Sequence, residues 1–245
     1  MKKASALTLF IYCLLLHSCS GENEIQKPVT QTPTGNPPTE NPATYKYLAL
    51  GDSYTIGQSV CETCRFPVQL KIQMEADASS PTVNVSIIAT TGWTTTNLID
   101  AINSQNPTSD NDLVTLLIGV NNQYQHKPFS IYETEFPQLT IKAIALAKGD
   151  KANVIVVSIP DYAFTPYGQN SGTQATITEQ IDQYNAFAEN YCIQHNIAFV
   201  NITDITREGL TNPNLVTTDG LHPSQIAYAR FAERILPKAL AAVSQ

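Results

Sequence analysis

From Tyr45 onward, apolar residues fall into two alternating kinds of segment. Tyr47 to Leu50, Val83 to Ile88, Leu113 to Ile118, Val154 to Ile159 and Ala198 to Val200 are short runs, rich in leucine or β-branched residues and bounded by glycine, proline or small polar residues. Such runs read as buried strands. Between them lie longer stretches whose apolar positions recur every three or four residues: Phe66, Leu70, Ile72 and Met74 behind Pro67; Leu98, Ile99 and Ile102; Ile131 through Leu146; a segment from about Ala175 to His195; and Ile226, Phe231, Ile235 and Leu240. These spacings predict helices. Strands alternating with helices predict βαβ units, hence an α/β protein with a five-stranded, mostly parallel sheet and right-handed crossovers. Residues 163–173, with Pro166, Gly168 and Gly172, read as a loop over the carboxyl edge of that sheet.

The front of the chain breaks the pattern. Met1-Lys2-Lys3 precedes an apolar stretch from Ala6 to Leu16 that is too short to span a bilayer comfortably, as expected of a secretory signal. Leu16-His17-Ser18-Cys19 resembles the processing site of a bacterial lipoprotein, which implies that residues 1–18 are removed and Cys19 is lipidated. Residues 19–44 have no hydrophobic period and are rich in Pro, Thr, Asn and Gln, so they are expected to be a disordered tether. Glu22 and Glu24 resemble the acidic export signals of surface lipoproteins. The folded domain is therefore expected over 45–245, held through lipid on Cys19 in a bacterial cell envelope, at the outer membrane.

With 245 residues and 42% hydrophobic content there is material for one sizeable core. The formal charge of −7 becomes −7 − 2 = −9 once Lys2 and Lys3 leave with the signal, which disfavours a nucleic-acid partner. Of five cysteines, Cys13 and Cys19 belong to the front segment. Cys61-Glu62-Thr63-Cys64 suits a small structural disulfide outside the cytoplasm. It lacks the second pair that a zinc site needs and any thioredoxin-like context. No metal or cofactor is expected.

Three strand ends then deliver chemistry to one edge, the edge at which open α/β sheets bind ligands. Ser53 follows the first strand, Gly92 the second and Asn121 the third. Ser53 is a candidate nucleophile, although Asp52 and Ser53 are also turn and cap formers. Acyl transfer further needs a base, a group that orients it, and donors for an oxyanion. His222 lies three residues after Asp219, and Pro223 suits the first turn of the last helix, which would put His222 at or near its N-cap, where the dipole favours a neutral ring. His126 and His195 read as surface residues at helix ends.

Taken together, Gly51-Asp52-Ser53, Gly92, Gly119-Val120-Asn121 and Asp219-Gly220-Leu221-His222-Pro223 resemble, in order, the four motif blocks of the SGNH (GDSL-type) hydrolase family. The resemblance implies a flavodoxin-like three-layer α/β/α fold with Ser53 as nucleophile, His222 as general base and acid, and Asp219 as its partner. It also implies an oxyanion hole made of the Ser53 and Gly92 N–H groups and the Asn121 side chain. Asn122 stands where the family's third block has aspartate, and Tyr54 where its first has leucine. The first change is expected to alter loop packing, and Tyr54 either packs beneath the nucleophile or lines the acyl pocket. The function implied is an extracytoplasmic serine esterase working through an acyl-enzyme on small acyl esters or acetylated polysaccharide. Alternatives are a lysophospholipase or thioesterase-like hydrolase and a non-catalytic glycan-binding relic. Tyr54, Trp93, Tyr124, Tyr162 and Phe164 are aromatics for stacking on sugars, for an acyl groove, or for the core.

Overall fold

In the computed structural model, which describes residues 43–77 and 81–244, Thr44–Gly51 (β1) pairs with Thr82–Ala89 (β2) on one side and Leu113–Leu117 (β3) on the other. Val154–Val157 (β4) continues from β3, and Ala198–Val200 (β5) from β4; every pairing is parallel, giving the order β2-β1-β3-β4-β5. The expected signal peptide of residues 1–18, the lipidated Cys19 and the tether up to residue 42 lie outside the described residues. Thr44, assigned to the tether, instead opens β1, because the sheet register carries its pairing back to Thr82.

Burial explains the composition of each strand. β3 and β4 lie in the middle and are buried along their whole lengths, which demands apolar residues on both faces. β2, at an edge, exposes alternate residues. The register aligns Gly51 with both Ala89 and Leu117, so β1, β2 and β3 end at one level. The loops after those strands are therefore neighbours.

The helices are Ser53–Ile56 (α1), Phe66–Glu75 (α2), Thr95–Gln105 (α3), Val120–Tyr124 (α4), Phe129–Leu146 (α5), Pro166–Gln169 (α6), Gln174–His195 (α7), Thr203–Arg207 (α8) and Gln225–Val243 (α9). α2 packs on α9, while α3 packs on α5 and α5 on α7, so the sheet lies between two helical layers. Phe66, Leu70 and Met74 of α2 and Tyr228, Phe231 and Ile235 of α9 are completely buried. Apart from Tyr228, which also buries its hydroxyl, each contributes about 1.5–3 kcal/mol by leaving water. Opposite, Tyr132 and Phe136 of α5 meet Tyr184 and Phe187 of α7, with ring centroids 4.5 to 6.1 Å apart. This is the flavodoxin-like α/β/α arrangement expected. Among the described residues no helix is long and apolar enough to cross a membrane.

Two local expectations change. Residues 163–173 are not plain loop: a 3-10 turn at Tyr162–Phe164 leads into α6, whose start is fixed by Pro166 and by Thr165 Oγ1 accepting the Gly168 N–H. The last helix begins later than Pro223 suggested. Ser224 is its N-cap, accepting from the Ile226 and Ala227 N–H groups, while Pro223 bridges Val216. His222 therefore stands two residues before the cap.

Candidate active site

Ser53 is the first residue of a one-turn helix made by Asp52, whose Oδ1 accepts the Tyr54 N–H at 3.0 Å. A first-turn N–H has no partner inside its own helix, so the Ser53 N–H is free to face a ligand. The turn is possible because residue 51 is glycine: a Cβ there would lie 2.1 Å from Thr55 Oγ1 and 2.4 Å from the Leu117 carbonyl oxygen. Asp52 is wholly buried. Burial pushes its carboxyl up to about 7, against the opposing pull of the Tyr54 N–H, the Asn121 amide and its own backbone. Asp52 thus has the turn-forming part that its residue type suggested.

The second component is a tight turn, Thr217 to His222, closed by Thr217 N–H donating to the His222 carbonyl at 2.8 Å. Inside it, Asp219 Oδ1 accepts from Thr217 Oγ1 at 2.6 Å and from the Leu221 and His222 N–H groups at 2.8 and 2.9 Å. Its Oδ2 meets His222 Nδ1 at 2.8 Å and accepts from Ser59 Oγ at 2.6 Å. Partial burial pushes the Asp219 carboxyl up, but donation from Ser59, Thr217 and His222 outweighs it and holds the group well below the usual carboxylate range. With Nδ1 engaged by Asp219, Nε2 is the nitrogen left for proton exchange.

The third component comes from the loops after β2 and β3. Gly92 has φ +85°, a left-handed conformation that glycine adopts without strain, and open space where a Cβ would stand. Gln125 Nε2 holds its carbonyl at 2.8 Å. Asn121 Nδ2 donates to the Trp93 carbonyl at 3.0 Å and at 3.4 Å to Asp52 Oδ2. The longer bond is the weaker and the more easily exchanged for another acceptor. Asn122, the departure from the family pattern, is fully buried and pins α3: its Oδ1 accepts the Thr95 N–H at 3.0 Å and its Nδ2 donates to Thr95 Oγ1 at 2.6 Å.

Ser53, His222, Gly92 and Asn121 line one cavity of about 160 Å³, walled by Tyr54, Tyr124 and Tyr162. Tyr54 is buried beside His222, ring centroids 5.4 Å apart, and so both packs beneath the site and borders the cavity. Trp93 is partly buried against the core, and Phe164 lies under the Arg207 guanidinium, 5.9 Å from ring centroid to carbon. A larger open groove of about 620 Å³ beside Phe164, Gln174 and Asp182 contains none of the four site groups.

Cys61 and Cys64 are bonded, with S–S 2.02 Å, and Cys192 is a buried free thiol. His126 follows α4 and His195 ends α7, where its Nδ1 meets the Tyr191 carbonyl at 2.8 Å. Among the described residues no group of three or more His, Cys, Asp or Glu side chains is gathered to hold a metal. Sequence reasoning missed Ser59 and Thr217 as partners of Asp219. Thr217 carries a local signal, a hydroxyl two residues before an aspartate, but Ser59 is 160 positions away and carries none.

Solved structures share this fold at low identity. A member of the lipolytic protein G-D-S-L family from Veillonella parvula is 20% identical, with TM-score 0.60, covering 80% of this chain and 97% of its own. An acetylxylan esterase from Geobacillus stearothermophilus is 19% identical, with TM-score 0.59, covering 81% and 95%. No curated protein matches the sequence. A sequence profile of the GDSL-like lipase/acylhydrolase family matches residues 49–230, a span that holds every group lining the cavity, and on this match the chain belongs to that family.

Proposed function

We propose that the protein is an exported serine esterase that removes short acyl groups, acetyl above all, from a glycan. The observation that carries this reading is the single cavity bordered by Ser53, His222, Gly92 and Asn121, with Asp219 behind the histidine. Ser53 Oγ attacks the ester carbonyl as its proton passes to His222 Nε2. The negative oxygen is met by the Ser53 and Gly92 N–H groups and the Asn121 amide. Asp219 stabilises the imidazolium that forms. Collapse returns the proton to the leaving sugar hydroxyl, and a water activated by His222 then releases the acid from Ser53. A relic that only bound glycans would have no need of all these groups together.

Two features favour a short acyl group on a sugar. The cavity of about 160 Å³ suits an acetyl better than a long chain. Beside it Tyr124 and Tyr167, 45% and 41% exposed, are joined by a 2.6 Å bond between their hydroxyls and offer an aromatic shelf to a sugar ring. Among the neighbours in fold is the Geobacillus acetylxylan esterase, whose catalytic mutants replace a serine or an aspartate by alanine. Export agrees with the Cys61–Cys64 disulfide, since such bonds persist in oxidising compartments. In this reading Cys19 carries the lipid that holds the enzyme in the cell envelope.

The test presents nitrophenyl acetate, butyrate and octanoate and an acetylated xylan to the full chain. Acetate is expected to be preferred to octanoate, acetate to be released from the xylan, and Ser53→Ala to lose about 10³-fold or more of the rate. Octanoate preference would sink the acetyl reading, and an undiminished Ser53→Ala the nucleophile. Cys19→Ser is expected to move the protein from the membrane fraction to the soluble one.

A further inference from the structure

The segment between α1 and α2 reaches both flanks of the cavity. Gln58 Oε1 accepts from Thr91 Oγ1 at 2.6 Å, next to Gly92. Ser59 Oγ donates to Asp219 Oδ2 at 2.6 Å, the same oxygen that meets His222 Nδ1. Ser59 makes this bond from an exposed position with φ +67°, a left-handed conformation that costs a residue with a Cβ and suits glycine. Such a conformation persists where the surroundings impose it. Here they do: Gly57 turns the chain at φ +76°, the Cys61–Cys64 bond closes the far side, and Gln69 Nε2 donates to both the Cys64 and Gln225 carbonyls. The segment is thereby clamped to the first residue of α9, just beyond His222.

We propose that Ser59 is a positioning residue for the Asp219–His222 pair, an inference that rests on reading that pair as the catalytic acid and base. Asp219 Oδ1 is held by three donors, and Ser59 is the protein donor on Oδ2 besides the histidine itself. With Oδ1 already held, its hydroxyl anchors Oδ2, the oxygen that meets the imidazole, and so tunes the direction in which the imidazole points. A serine at a place that favours glycine is explained by the hydroxyl.

Ser59→Gly separates the hydroxyl from the backbone, because glycine keeps or improves the loop's fit while removing the donor. The expected result is a Tm within a few degrees of wild type, because relief of the left-handed conformation offsets the lost hydrogen bond, with kcat reduced about tenfold as for loss of a hydrogen bond to a charged group and KM within about twofold. The deshielded Nδ1 proton of His222, read by NMR without substrate, shifts in the same variant. Ser59→Asn, which tolerates the left-handed conformation and keeps a donor, recovers part of the rate. Wild-type kcat in Ser59→Gly, or an unmoved Nδ1 resonance, overturns the proposal. Ser53→Ala is the companion control: inactive beside a fully active Ser59→Gly, it leaves the hydrolase reading standing and removes only Ser59. If Ser53→Ala is active, the hydrolase reading fails, and the NMR signal alone decides whether Ser59 orients the pair.

Discussion

Asp219 grips His222 with both carboxylate oxygens, Oδ2 at 2.8 Å from the ring Nδ1 and Oδ1 accepting the same residue's backbone N–H at 2.9 Å. Two contacts to one residue fix the ring's tautomer as well as its distance. Asp219→Ala is therefore expected to lower kcat about 10⁴-fold while KM changes little, measured on nitrophenyl acetate. The carboxyl is depressed in the folded state, so its contribution to stability is present above the ordinary carboxylate range and is lost as pH falls below it. Denaturant titrations from pH 6 down to about pH 3 should show a weaker acid dependence in this variant.

Asp52 carries the opposite sign. Its carboxyl rises from 3.8 to about 7 in the folded chain, so the native state binds a proton more tightly than the unfolded one. Stability is expected to fall as pH rises between those values, by up to about 4 kcal/mol, and to level off above them. Asp52→Asn keeps an acceptor for the Tyr54 N–H and removes the titration. Its unfolding free energy should vary less between pH 4 and pH 7 than that of the wild type.

Asn121 connects the two parts, because its Nδ2 reaches both the Trp93 carbonyl and Asp52 Oδ2. Asn121→Ala is expected to cost about 10²–10³-fold in kcat through the lost oxyanion donor. It also removes a hydrogen bond that lowers the Asp52 pKa, so the pH midpoint of the stability profile should move upward. Unchanged kcat would show that Asn121 donates only to protein.

The Cys61–Cys64 bond closes a ring too small to contribute much chain entropy. Cys61→Ser with Cys64→Ser is expected to cost about 1–2 kcal/mol in chemical denaturation. Because Ser59 lies in the segment this bond braces, mild reductant should also lower kcat before it unfolds the protein. Loss of stability with no change in kcat would confine the disulfide to the fold.

Some of this organisation is legible in local sequence. Val154 to Val157 reads as a buried strand because it is a short β-branched run with apolar residues for both faces of a central strand. Gly51-Asp52-Ser53 and Asp219 to His222 are each complete turns, whose side chains bond to backbone two or three residues away. Proline and serine are both good helix starters, so Pro223 suggests a start that Ser224 takes instead by having an oxygen for two N–H groups. The helix within residues 163–173 leaves no trace in the sequence because α6 is too short to show a period.

The amino-acid order alone settles which strands are buried, where the turns lie and which residues carry chemistry, since those depend on neighbours a few positions apart. Assembly at one place depends on the parallel register that ends β1, β2 and β3 together, and on α9 returning beside α2. Ser59 meets Asp219, and Asn122 meets Thr95, only after that packing is complete. Such contacts join residues by distance in space, which no local pattern encodes, and they decide how rigidly the site is held.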